Sequence, residues 1–156
     1  MSEFRFEKQR ISATLTLAPG TSVSGSFFVA GRTSNHEGPE RIGDLLNAQA
    51  GFFPFELRDG TTVLYNRTYL VTVALEPGVS EAERDPGYDV ATHRHVGMLL
   101  STGMRVKGKV AVYAAPGRDR LSDYARSQQA FRYVVTQKNT LIINAAHIVE
   151  LTELPD

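Results

Sequence analysis

Two histidines of this 156-residue chain have a spacing that suits metal binding. His93 and His95 lie two residues apart on a predicted strand, so both imidazoles face the same side of that strand. Imidazole nitrogens bind transition metals, but a structural site needs four ligands and a catalytic site three. No third ligand is evident in the sequence, and we therefore predict no metal site and no cofactor.

Three basic residues alternate on the next predicted strand and share its solvent face: Arg105, Lys107 and Lys109. They lie in the most basic part of the chain, residues 93–138, which holds nine Lys and Arg residues against two acidic ones. Such a face attracts an acidic protein surface or a phosphate backbone. The basic residues that we predict to bind are Arg105, Lys107, Lys109, Arg126 and Arg132.

Phenylalanines are concentrated in the N-terminal half of the chain, at Phe27, Phe28, Phe52, Phe53 and Phe55. Alternation along a strand places Phe53 and Phe55 on one face and Phe52 on the other, so a single core does not hold all of them. The surplus either packs against the C-terminal half or forms an exposed apolar patch, which is typical of partner sites. We include Phe53 and Phe55 in the predicted binding surface.

The sequence contains none of the common catalytic motifs. The sequence has no P-loop, no G-x-G-x-x-G turn, no H-E-x-x-H and no G-x-S-x-G elbow. We therefore predict that the protein is not an enzyme.

Composition narrows the class of protein further. The net charge is +0, with 17 basic and 17 acidic residues, whereas nucleic-acid-binding domains are usually basic. The chain has 0 cysteines, which excludes disulfides and thiolate metal sites. The N-terminus does not read as a signal peptide, and no apolar run approaches the roughly 20 residues that span a bilayer. We expect a cytoplasmic protein with no membrane contact.

The elements that position these residues occur twice in the sequence. The matching segments are GTSVSG (20–25) with GMRVKG (103–108), RIGDLLN (41–47) with RLSDYAR (120–126), and VLYNRTYLV (63–71) with LIINAAHIV (141–149). Phe52 likewise matches Phe131. The order is kept, which predicts a duplicated unit of roughly 70 residues.

Eight residues mark equivalent places in the two predicted units. A glycine inside a strand predicts a sharp bend, an Arg–Asp pair three residues apart predicts an ion pair on a short helix, and an Asn between two short strands predicts a turn. In chain order, these structural markers are Gly25, Arg41, Asp44, Asn66, Gly108, Arg120, Asp123 and Asn144.

Each unit reads as a hairpin of two strands, a short helix and three further short strands. The pattern predicts a mainly β protein built from two small five-stranded barrels of the Sm/SH3 type, each with one helix and related by a pseudo-twofold axis. The first unit spans 1–75, an exposed linker 76–89, and the second unit 90–156. One barrel of this size is marginal alone, so the sequence leaves open whether the two form one compact body.

The segment RLSDYAR (120–126) resembles the R-x-S-D-Y-L-N segment of an uncharacterised bacterial small-domain family, which also has a G–V–G hairpin and an I-N-x-x-x-I close. That resemblance implies the fold and the duplication, and it carries no function. More distantly, the G-x-x-V-x-G hairpin resembles that of Sm-like proteins. This second resemblance implies small barrels that bind a uridine base through loops near Asp44, Asn47 and Asn66-Arg67.

The function that we predict from these features is a non-enzymatic protein-binding or scaffold module. The alternative is a nucleic-acid-binding Sm-like small barrel. A protein is therefore the expected partner, with nucleic acid and a second copy of the chain as alternatives.

Overall fold

The computed structural model of the protein describes residues 8–31, 40–113, 120–127 and 129–155. Within these ranges the chain forms ten β-strands and two short α-helices. The strands are β1 (Lys8–Leu17), β2 (Thr21–Ala30), β3 (Phe52–Leu57), β4 (Thr62–Asn66), β5 (Leu70–Leu75), β6 (Thr92–Leu100), β7 (Arg105–Val112), β8 (Phe131–Val135), β9 (Thr140–Asn144) and β10 (Ile148–Glu153). The helices are α1 (Ile42–Ala48) and α2 (Leu121–Ala125).

All ten described strands belong to one open antiparallel sheet, in the order β10-β6-β7-β8-β9-β5-β1-β2-β3-β4. The mainly β prediction is confirmed, but the prediction of two five-stranded barrels is wrong. The physical reason is the partner of β5, which pairs with β1 on one side and with β9 on the other. Because β9 occupies the edge at which β5 would meet β4, the first half does not close on itself. The second half stays open in the same way, and β4 and β10 become the outer strands.

The central β5–β9 pair separates two apolar cores that we call core 1 and core 2. The buried members of core 1 are Ala13, Leu15, Phe27, Val29, Ile42, Leu46, Phe53, Phe55, Leu70, Val73, Leu75, Phe131 and Ile142. Those of core 2 are Val71, Val96, Met98, Leu100, Val106, Val110, Val112, Tyr124, Val134 and Ile143. Neighbouring residues of β9 thus point to different cores, and each core contains residues from both halves of the chain.

The segment between the predicted units, 76–89, is exposed at most of its positions, but Glu81 and Ala82 within it are buried. Glu81 is 1% exposed, and its carboxylate accepts hydrogen bonds from the Ile42 amide at 2.9 Å and the Tyr133 hydroxyl at 2.8 Å. The Glu81 carbonyl accepts from the Arg41 guanidinium at 3.1 Å. One residue therefore ties the start of α1 to β8. Two 3₁₀ turns, Ala82–Arg84 and Tyr88–Val90, follow it. The division of the chain into units stays a prediction.

None of the helices in the described part of the chain has the length and apolar character needed to cross a membrane.

Two marker glycines allow neighbouring strands to approach closely. A Cβ on Gly108 would lie 2.7 Å from the Val135 carbonyl oxygen and 2.7 Å from a methyl carbon of Val134. A Cβ on Gly25 would meet the Glu56 carbonyl oxygen in the same way. Strand β7 can therefore bend onto β8, and β2 onto β3, only where the side chain is absent.

We predict that Gly108→Ala destabilises the protein, because the added methyl group must push β8 away from β7. Overpacking of this kind lowers the free energy of unfolding by about 1–3 kcal/mol. Gly97→Ala on the adjacent strand is the matched control, since its Cβ would only touch Leu154 at 3.6 Å. Urea unfolding of both variants measures the difference. Equal stabilities would contradict the close approach at Gly108.

Candidate functional site

Strand β7 presents the predicted basic residues to solvent. Arg105, Lys107 and Lys109 are exposed, while Val106 and Val110, which alternate with them, are buried in core 2. The shared solvent face that the sequence predicts is therefore present. The apolar alternate residues fix it, because a shift of the strand by one residue would place lysines in the core.

Two of these residues line a groove of about 760 Å³, which we call the basic groove. Its walls come from β6, β7, the turn between β8 and β9, and the two residues that follow β10. The described residues that line it are His95, Lys107, Gly108, Lys109, Val135, Thr136, Gln137, Lys138, Leu154 and Pro155.

Local hydrogen bonds hold both sides of the basic groove. The Thr136 hydroxyl donates to the Asn139 carbonyl at 2.8 Å and accepts from the Lys138 amide at 3.2 Å, which fixes the turn that carries Lys138. The Leu154 amide donates to the His95 carbonyl at 2.9 Å. Leu154 packs over Gly97, where no side chain intervenes. The groove is thus formed by ordered backbone on both sides.

The charged side chains that line the basic groove are all basic among the described residues. Its lining contains Lys107, Lys109 and Lys138 and, among the described residues, no Asp or Glu. Within the described chain, no carboxylate lies within salt-bridge distance of these three amines. A concave surface of one charge sign concentrates the field and attracts groups of the opposite sign. Arg105 lies beside the groove and is partly neutralised by Glu150 at 3.8 Å.

Arg132 has a structural role that its predicted place on the binding surface did not anticipate. It is 8% exposed, and its guanidinium donates to the carbonyls of Tyr124, Ser127 and Gln129 at 2.7, 2.9 and 2.9 Å. These carbonyls lie at and beyond the C-terminus of α2, where helices leave acceptors unsatisfied. The guanidinium also lies 4.9 Å from the centre of the Tyr124 ring. Burial raises the pKa of Tyr124 to about 12, so the tyrosine stays neutral beneath this cation.

Arg67 likewise satisfies carbonyls at the C-terminal end of α1, although it does not occupy the place in its half of the chain that Arg132 occupies in the other. It donates to the carbonyls of Leu45, Leu46 and Phe52 at 3.0, 3.1 and 2.6 Å. Sequence reasoning missed this pair because Arg67 and Arg132 do not align in the matching segments.

Phe53 and Phe55 do not form a partner surface, because both are 0% exposed. Their rings pack against Phe27 in core 1, with centroids 5.5 and 5.1 Å apart. Arg126 is exposed, but it lies at the end of α2, 3.7 Å from Asp123, and does not line the basic groove. The predicted binding residues therefore separate into three that stay on or beside the groove and four that do not.

His93 and His95 have different surroundings. The Nε2 atom of His93 is 3.0 Å from the Tyr88 carbonyl, and its ring packs edge-on against Tyr88. His95 lines the basic groove. Within the described residues, no group of three His, Asp or Glu side chains is placed to hold a metal ion.

The remaining marker residues build local structure. The amides of Arg41 and Arg120 donate to Asp44 and Asp123 at 2.9 and 3.0 Å, so each aspartate caps the N-terminus of its helix. Arg41 also forms a buried ion pair with Asp44 at 2.9 Å.

Asn66 and Asn144 begin 3₁₀ turns, Arg67–Tyr69 and Ala145–His147. Their side-chain oxygens accept from the amides of Thr68 and Ala146 at 3.0 and 3.1 Å.

No protein-family model, curated protein or solved structure matches this chain. The resemblance to the bacterial small-domain family stays a prediction. The Sm-like resemblance loses the barrel that it implied, because the sheet is open. The functional argument therefore rests on the basic groove.

We predict that Arg132→Lys destabilises the protein and leaves the basic groove intact. A lysine cannot reach three carbonyls in a fixed fork, and a lost hydrogen bond from a charged group costs roughly 1.5–3 kcal/mol. Arg126→Lys is the control, because Arg126 is exposed and directly follows the same helix. Thermal unfolding is the measurement. A stability loss equal to that of Arg126→Lys would show that the guanidinium does not cap α2.

Proposed function

We propose that the protein is a non-enzymatic binding module that holds an acidic segment of a partner protein in the basic groove. The observation that carries this proposal is the set of Lys107, Lys109 and Lys138 in one concave surface whose described lining includes no acidic residue. Uncompensated lysines repel one another, and an anionic ligand relieves that repulsion. The groove therefore favours a ligand with several negative charges.

The groove favours an acidic peptide over a nucleic acid because of what else lines it. Single-stranded nucleic acids bind on aromatic platforms on which their bases stack. The described lining contains no Phe, Tyr or Trp, and its apolar members are aliphatic: Val135, Leu154 and Pro155. Aliphatic walls beside lysines suit a segment that alternates acidic and apolar side chains.

Polar groups in the groove add directional contacts. Gln137 lines the basic groove beside Lys138, and its amide can both donate to and accept from a peptide backbone. Lysine ammonium groups are point charges on flexible side chains, so they can donate to carboxylates in many different geometries. The groove therefore suits a class of acidic segments better than a single rigid ligand.

We predict that the double variant Lys107→Glu/Lys109→Glu loses binding to a fluorescent peptide that alternates Glu and Leu. We expect Kd to rise at least about tenfold, which corresponds to a loss of about 1.4 kcal/mol in binding free energy. The control is Lys8→Glu/Arg58→Glu, which makes the same change in net charge at exposed sites away from the groove. Fluorescence anisotropy at several salt concentrations measures both variants, and wild-type binding should weaken as salt rises.

A single-stranded oligonucleotide with the same number of charges serves as the competing probe. Tighter binding of the oligonucleotide than of the peptide would overturn the proposal in favour of nucleic acid. Equal peptide binding by the groove variant and the control variant would show that the groove is not the site.

A further inference from the structure

The two outer strands of the sheet are the counterparts of the two strands that pair at its centre. Strands β4 and β9 both end at an Asn that caps a 3₁₀ turn, and β5 and β10 both begin directly after that turn. The orders β5-β1-β2-β3-β4 and β10-β6-β7-β8-β9 are the same in the two halves. Strand β9 pairs with β5, whereas β4 and β10 each have one open edge in the described sheet.

Residues that are buried at the central pair have exposed counterparts on the outer strands. Ile142, two residues before Asn144, is 0% exposed in core 1, yet Leu64, two residues before Asn66, is 64% exposed. Val71, the second residue of β5, is 0% exposed in core 2, yet Val149, the second residue of β10, is 63% exposed.

The same contrast holds at the start of the strands that flank these edges. Phe131 is the first residue of β8, pairs with Asn144 and is 4% exposed in core 1. Phe52 is the first residue of β3, pairs with Asn66 and is 59% exposed. Phe52 and Leu64 thus form an apolar patch along the β3–β4 edge, of a composition that the central pair buries.

The side-chain amides of Asn144 and Asn66 show the same contrast between the central pair and the outer strand. The Asn144 side-chain nitrogen donates across the central junction to the carbonyls of Leu70 at 2.8 Å and Arg67 at 3.2 Å. Asn66 uses its side-chain oxygen as Asn144 does. Within the described residues, its nitrogen makes no corresponding bond. The side-chain nitrogen of Asn66 on β4 is therefore the counterpart of the Asn144 nitrogen, which donates across the β5–β9 junction.

We infer that copies of this chain assemble head to tail, with β4 of one copy pairing antiparallel with β10 of the next. The register follows from the central pair, where Val73 lies opposite Ile142 and Thr72 opposite Ile143. It places Leu64 opposite Leu151 of the next copy. Leu64 then enters core 2 of that copy, as Ile142 enters core 1, and Val149 of that copy enters core 1 of the first.

Such an interface joins two different surfaces, so every copy keeps one edge of each kind for a further neighbour. Contacts of this type close into rings or continue as filaments. Pairing also removes the exposed strand edges, which otherwise template uncontrolled association. The basic groove lies on β6, β7, the β8–β9 turn and the two residues that follow the paired strand β10. Assembly would therefore place one groove in each copy and raise avidity for a repeated acidic ligand.

The inference is tested with two variants that each block one edge, Leu64→Lys and Val149→Lys. A lysine on an edge strand opposes pairing. Both positions are exposed, and Val90→Lys, at a residue 89% exposed away from both edges, is the matched control. Light scattering after size-exclusion chromatography measures the mass of each protein, and circular dichroism shows that each is folded.

Head-to-tail pairing makes a specific prediction for mixtures. Wild-type protein and Val90→Lys should form the same oligomer, each edge variant alone should be a monomer, and an equimolar mixture of the two edge variants should form a dimer. That dimer forms because each variant keeps the edge that the other lacks. A monomeric wild type, an edge variant that dimerises alone, or a mixture that stays monomeric would overturn the inference.

A covalent test of the register is independent of the lysine variants. The chain has 0 cysteines, so single cysteines introduce no background pairing. Under oxidation, Leu64→Cys mixed with Leu151→Cys should give a crosslinked dimer, and neither variant alone should give one. Crosslinking of either variant to itself at the same yield would overturn the head-to-tail arrangement.

Discussion

The pairing of β5 with β9 is the contact on which both cores depend. Each of these strands is covered on both faces, so Val73 and Ile142 reach core 1 while Val71 and Ile143 reach core 2. Separation of the two strands would open both cores at once. Since a domain of half this length buries too little surface for much stability, the two halves stabilise each other by sharing core residues at this junction.

The helices depend on the sheet in a similar way. Helix α1 has seven residues and α2 has five, and isolated helices of this length are unstable in water. Arg67 and Arg132 satisfy the carbonyls at their C-terminal ends, and Asp44 and Asp123 satisfy amides at their N-terminal ends. Hydrogen bonds from polar side chains thus stabilise helices that are too short to be stable alone. This explains why Arg67 and Arg132 are buried in so small a protein.

The sequence predicts features that depend on neighbouring residues, and it fails where distant strands must choose partners. Alternation correctly placed Lys107 and Lys109 on the solvent face of β7. Gly25 and Gly108, which predicted sharp bends, lie where neighbouring strands approach closely. The two closed barrels were predicted incorrectly, because a strand pattern encodes which face is buried and not which edge is paired. One signal was present: LVTVAL on β5 and LII on β9 are almost continuously apolar, as in strands covered on both faces.

The same limit applies to the basic groove. Lys107 and Lys109 could be predicted as a pair because they share a strand. Lys138 and Leu154 join them only through tertiary structure, and Arg132, equally basic in sequence, turns inward to cap α2. Charge counts therefore located the region, while burial decided which cations remain available to a ligand.

The charges of the outer strands bear on which edges pair. Strand β10 carries Glu150 and Glu153, whereas β4 (TVLYN) carries no charge. Two β10 strands placed side by side would bring four carboxylates together, and like charges on paired strands are destabilising. Pairing with β4 avoids this repulsion, and Glu150 and Glu153 keep their partners Arg105 and Arg94 at 3.8 and 3.6 Å within the sheet. Charge therefore disfavours the pairing of two β10 edges, and it leaves the uncharged β4 as the compatible partner for β10.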